Sequence, residues 1–169
     1  MSISFVIPTI NRPSLKKTLD SIHKYGDDEV IVIPDNPPSG MWGNPQRNEG
    51  IKKATCDYLA FIDDDDWYAD NARKIMESAI KENPGLPILF KMKYPNGNII
   101  WKEKKVIPGN VSTQMILVPN KKDTLFHWKA GRNMADFIFI DHWKWPKDKI
   151  IWREEIIAHL GHNDGEKAK

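Results

Sequence analysis

The sequence predicts an α/β fold: a mostly parallel sheet flanked by helices, followed by a mixed, aromatic-rich second half. Three observations predict it. Short apolar runs alternate with segments of helical period through residue 83. The run Tyr58 to Ile62 carries no charge, as in a strand covered on both faces. That run ends in Asp63-Asp64-Asp65-Asp66, four carboxylates at the place where open α/β sheets bind ligands, outside the carboxyl ends of their strands.

Each element has its own reason. Residues 2–8 form a first strand and 29–34, with Val-Ile-Val-Ile at its centre, a second. Between them Pro13 suits the first turn of a helix, and Leu15, Leu19 and Ile22 recur at helical spacing over 14–25. Strand, helix and strand at this spacing make a right-handed βαβ unit, so Asp35 and Asp63 belong at one carboxyl edge. Asn44-Pro45 supplies a cap and a first-turn proline for a helix to about Ala54. A helix over 69–83 follows the acidic run and stops at Pro84-Gly85. Strands over 88–94 and 99–104 flank Pro95-Asn96-Gly97-Asn98, a hairpin signal. Residues 114–118 read as a strand, 133–145 as a helix, and 150–152 and 156–160 as two short strands. The chain reads as one domain over residues 1–163, with a disordered tail over 164–169.

Composition narrows the classes. A chain of 169 residues can bury one substantial core. It has no apolar run long enough to span a bilayer and no secretory signal pattern at the start. The single cysteine, Cys56, excludes an intrachain disulfide and a cysteine-rich zinc site, and fits a reducing, cytoplasmic setting. A net charge of +2 does not by itself indicate a nucleic-acid partner. Of seven tryptophans, Trp101, Trp128, Trp143, Trp145 and Trp152 lie interleaved with lysines in the second half.

Four adjacent carboxylates repel one another and need either water or a cation. Mg²⁺ and Mn²⁺ choose carboxylate oxygens and bridge to phosphates. One or two aspartates would serve a helix start; four after a buried strand favour a metal site. The amino end of the 44–54 helix offers free N–H groups, with Arg47 beside them, to an anion.

These residues resemble glycosyltransferase family 2, with its glycosyltransferase-A fold. The likeness is carried, in order, by Phe5 to Pro13, by the strand ending at Asp35, by Arg47-Asn48-Glu49-Gly50 and by Phe61 to Trp67. It implies a nucleotide-sugar-binding half over about 1–86 and an acceptor half over about 87–163. Pro8, Thr9, Arg12 and Asp35 would line the base and ribose pocket, Arg47 would contact the nucleotide or its phosphates, and Asp63 would bind the ribose. Asp64 fills the variable middle position, Asp65 would hold the Mn²⁺ or Mg²⁺ that bridges the diphosphate, and Asp66 supports the site from outside. Asp136 matches the general base, although Ala135 stands where the family has glutamate; Asp141 is the alternative. His162 or His159 would complete the metal site. Donor and acceptor are then a nucleotide-diphosphate sugar and a saccharide, with inversion of the anomeric carbon. A hydroxymethylated base in phage-like DNA is a second acceptor, for which the lysines and tryptophans would give phosphate contact and stacking. A nucleotidyltransferase also places aspartates at strand ends, but Thr9 to Pro13 lacks the glycines of its phosphate loop. A noncatalytic nucleotide-binding module would need no base.

Overall fold

The computed structural model describes residues 1–129 and 134–162. The predicted tail over 164–169, the domain limit at 163 and the helix start at Asn133 lie outside them. β1 (Ile3–Thr9) is buried along its whole length because parallel neighbours flank it, β2 (Glu29–Pro34) on one side and β3 (Tyr58–Phe61) on the other. Phe5 and Ile7 face one core and Val6 the other, the alternation of a strand covered on both faces.

α1 (Leu15–Ser21) is shorter than the sequence suggests. Buried Asp28 accepts the Tyr25 N–H at 2.9 Å and the Ile3 N–H at 2.8 Å and pairs with Arg73, drawing the following residues into a turn. α2 (Asn44–Lys53) starts as expected, but its cap position is left-handed Gly43. The Asn44 side chain faces inward, donating to the Lys129 carbonyl and accepting from Arg47. Gly50 lets this helix lie directly on β1, where a Cβ would overlap the Val6 side chain.

After the acidic turn comes β4 (Trp67–Tyr68), a two-residue strand too short to show alternation in sequence, then α3 (Ala72–Glu82). β5 (Ile88–Lys93) and β6 (Ile99–Ile100) form the expected hairpin, with Gly97 left-handed in its turn. β6 stops early because Asn110 folds back the next segment, accepting from the Lys102 N–H and donating to the Glu103 and Lys105 carbonyls. A 3-10 turn, Thr113–Met115, precedes β7 (Ile116–Pro119), so Gln114 lies in the turn and not in a strand. α4 (Ala135–Asp141) is a short helix. The two predicted C-terminal strands are one, β8 (Ile151–His159), whose register against β5 shifts twice and so breaks the sequence alternation.

The sheet order is β2-β1-β3-β7-β5-β8-β4, with β6 on β5. It is parallel through β2-β1-β3, then mixed: β7 runs against β3 and β5, while β5 and β8 are parallel. α3 covers one face through Met76, Ala79 and Ile80; α2 and α4 cover the other through Ile51, Phe139 and Ile140. The tryptophans of the second half belong to these cores. Trp101, Trp128 and Trp143 are buried, and Trp145 and Trp152 pack against them. The expectation of an exposed stacking surface therefore fails, because apolar ring area is worth more inside the sheet layers than in water. No helix among the described residues is long and apolar enough to cross a membrane.

Candidate active site

The carboxyl ends of β1, β2 and β3 meet at one edge, as parallel pairing dictates. A cleft of about 510 Å³ opens there, lined by Pro8, Thr9, Arg12, Asp35, Asp63, Asp64, Asp65 and His162. A second cleft of about 530 Å³ adjoins it and holds Arg47, Gln114, Trp128 and Asp136. Asp63, Trp42 and His162 line both. The predicted site residues are thus gathered into two compartments with Asp63 on their shared wall.

The four aspartates have four different environments. The Asp63 carboxylate pairs with the Arg47 guanidinium on one oxygen and accepts the Gln114 amide at 3.2 Å on the other. Asp64 is buried beneath the loop after β1. Its oxygens accept the Thr9 hydroxyl at 2.6 Å, the Ile10 N–H at 3.0 Å and Arg12 at 2.5 Å. It therefore acts on the cleft through the loop it fixes. Asp65 faces Arg12 at 3.5 Å and the His162 imidazole at 3.6 Å. Burial and the neighbouring Asp63 push its carboxyl above the usual carboxylate range, against the pull of Arg12 and His162. Asp66 is fully buried and held by Gln114 and the Gly161 N–H; burial and Asp63 push it up to about 8.

Arg47, whose plain alternative is a solvated helix face, is instead buried. It donates to the Trp42 carbonyl at 2.7 Å and to Asn44 at 2.9 Å, and its guanidinium lies 4.9 Å from the Trp128 ring centroid. Asp35 accepts both the N–H and the hydroxyl of Ser39 on one oxygen, at 3.0 and 2.8 Å. Its second oxygen takes part in neither bond.

Asp136 sits in the first turn of α4 on the second cleft. Burial raises its carboxyl, partly offset by a hydrogen bond from its own N–H, by the neighbouring Ser112 hydroxyl and by the charge of Arg47. Asp141 is at the far end of α4, paired with Lys147 at 3.1 Å, and lines neither cleft. The histidines also separate. His159 stacks on Trp67 with centroids 6.1 Å apart, whereas His162 reaches the aspartate turn.

Asp65, Asp66 and His162 offer ligand atoms within 4.8 Å of one another. The His162 Nδ1 is buried and has no hydrogen-bond partner among the described residues. Carboxylate and imidazole donors around an unpartnered nitrogen fit a divalent cation such as Mn²⁺.

Sequence reasoning missed Trp42, Ser112 and Gln114. Trp42 is 63% exposed between left-handed Gly40 and Gly43 and has a positive φ itself. An aromatic residue between glycines, just beyond a strand end, was the available signal. Gln114 gave none, because only the tertiary fold brings it under the aspartates.

A parallel three-strand edge that ends in an aspartate turn between two clefts defines a glycosyltransferase-A-like α/β domain. The chain belongs to glycosyl transferase family 2, whose model matches residues 43–139. It is 28% identical to an uncharacterized glycosyltransferase of Haemophilus influenzae, over 70% of this chain and 49% of that protein. It is 33% identical to a poly(ribitol-phosphate) beta-glucosyltransferase of Bacillus spizizenii, over 55% of this chain and 15% of that one. The chain thus spans half or less of these relatives. Among solved structures it is similar to S. aureus TarS, with TM-score 0.77 and 17% identity over 95% of this chain and 36% of that chain. It is also similar to TarS 1-349 in complex with UDP-GlcNAc, with TM-score 0.75 and 16% identity over 98% of this chain and 60% of that chain. At these identities the structural likeness is one of fold.

Proposed function

We propose that the protein transfers a sugar from a nucleotide-diphosphate sugar to a saccharide hydroxyl, with a divalent cation and with inversion at the anomeric carbon. The observation that carries this reading is the position of Asp63, on the wall between a cleft lined by strand ends and a cleft holding a half-buried carboxyl. The base and ribose of the donor lie against Pro8, Thr9 and Asp35. The ribose meets Asp63, and Arg12 and Arg47 bring positive charge toward the diphosphate. The sugar extends past Asp63 into the second cleft. There Asp136 accepts the proton of the attacking hydroxyl, and one displacement inverts the carbon. Asp65 and His162 would hold Mn²⁺ or Mg²⁺, which when bound neutralises charge on the leaving diphosphate.

A UDP-sugar donor has the support of the fold's likeness to a protein crystallised with UDP-GlcNAc. The saccharide acceptor is preferred to hydroxymethylated DNA because the tryptophans that motivated the latter are buried in the core or packed against it. The test is incubation with UDP-GlcNAc or UDP-glucose, Mn²⁺ and a panel of saccharide and polyol-phosphate acceptors. Product is read by mass spectrometry and its anomeric configuration by NMR. The expected result is release of UDP coupled to formation of an inverted glycoside. Failure to bind or consume any nucleotide sugar would remove the reading.

A further inference from the structure

The transfer step leaves the fourth aspartate unused, and its environment is too specific for a spare carboxylate. Both oxygens of Asp66 accept hydrogen bonds, Oδ1 from the Gly161 N–H at 2.9 Å and Oδ2 from the Gln114 amide at 2.5 Å. Its backbone carbonyl accepts the Thr18 hydroxyl at 2.7 Å. One residue therefore ties the turn after β3 to the 3-10 turn before β7 and to the chain leaving β8.

The orientation of Gln114 follows from chemistry. Its NH₂ group has two hydrogens, which reach Asp66 and, at 3.2 Å, Asp63. Its oxygen accepts the Ser112 hydroxyl at 3.1 Å. The observed orientation gives one N–H to each of the two carboxyl groups. The glycine is equally constrained. Gly161 is not among the left-handed residues, yet a Cβ there would overlap the Asp65 carbonyl oxygen. Glycine is needed for the close approach, not for its backbone angles. The next residue is His162, whose imidazole this approach delivers to Asp65.

We propose that Asp66, Gln114 and Gly161 form a latch that seats His162 beside Asp65, which makes Asp66 a positioning residue and not a cation ligand. The proposal rests on the reading of this edge as a nucleotide-sugar and cation site. Asp66 lies within reach of the same ion as Asp65 and His162. Each oxygen already holds one donor from a different segment, so the part of Asp66 in joining these segments and a part as ligand are separated by removing His162.

The test uses the full chain and Mn²⁺ in the presence of UDP, with bound metal read by electron paramagnetic resonance. Gly161→Ala breaks the latch by overlap, Gln114→Leu by loss of the donor, and Asp66→Asn by placing an amide NH₂ against either the Gln114 amide or the Gly161 N–H. Each should weaken Mn²⁺ binding about tenfold or more. In a His162→Ala background Gln114→Leu and Asp66→Asn should weaken it less than twofold further, since the latch acts through His162; Gly161→Ala is left out of this comparison because its Cβ also meets the Asp65 backbone. The Gly161 amide should also exchange slowly with solvent in the wild type. An Asp66→Asn loss that persists in full without His162 would make Asp66 a ligand and overturn the proposal. So would unchanged Mn²⁺ binding in Gly161→Ala and Gln114→Leu, a rapidly exchanging Gly161 amide, or a wild type that takes up UDP without Mn²⁺. Calorimetric titration of UDP into the wild type separates these outcomes from failure of the donor site itself. If Gly161→Ala does not fold, Gln114→Leu and Asp66→Asn give the same comparison.

Discussion

In the proposed reaction Asp136 is the residue on which transfer, as distinct from binding, turns. It can accept a proton only when ionised, and burial raises its carboxyl above the usual range. The acid limb of kcat/KM should therefore lie above the value near 4 of an ordinary aspartate. Asp136→Asn should lower kcat by about 10²–10⁴-fold while leaving donor affinity unchanged, since a base acts in the transition state. Stability should respond as well. The folded pKa exceeds the unfolded one, so between the two the unfolded chain holds fewer protons, and stability falls as pH rises through that window. Urea denaturation across acidic pH should show a shallower fall in Asp136→Asn. An unchanged rate in this variant would move the base elsewhere. At this scale the sequence showed which residues carry charge but not which charges are buried. Arg47 read as a surface residue or a phosphate contact, and the fold makes it a buried partner of Asp63. Gln114 was invisible, because a lone glutamine has no pattern until folding brings it against Asp63 and Asp66.

Among the elements, the first three strands and α2 were legible because their covering is local. The apolar runs of β1 and β3 state that both faces are packed, the run of β2 marks a strand although it stays half-exposed at the sheet edge, and a first-turn proline states where a helix begins. β8 was not legible as one strand, because its shifted register against β5 interrupts the alternation. β4 was too short to have a period. The glycine of Arg47-Asn48-Glu49-Gly50 acquires a physical reason here: it sets the distance from α2 to β1, and so the reach of Arg47 to Asp63. Gly50→Ala should overpack this contact and cost about 1–3 kcal/mol. Urea denaturation should show a lower midpoint at unchanged slope, together with weaker UDP binding as Arg47 shifts. A variant of undiminished stability would mean that α2 and β1 are not packed closely at this point.

For the whole molecule, the order β2-β1-β3 places Asp35 and Asp63 at one edge, and the returning β8 carries His162 to the same edge from the far side of the sheet. The first half of this arrangement was legible from βαβ spacing. The second half was not, because its contacts are made between segments distant in sequence and through buried aromatic residues, not through periodic faces. On the proposed function this edge binds a nucleotide-diphosphate sugar through a cation at Asp65. Calorimetric titration of UDP-GlcNAc into the wild type and Asp65→Asn, with Mn²⁺ and with chelator, tests that claim most directly. The predicted result is binding by the wild type with Mn²⁺ and its loss both on chelation and in Asp65→Asn, a change that keeps the size of the side chain but removes the charge. Undiminished, chelator-resistant binding by Asp65→Asn would contradict it.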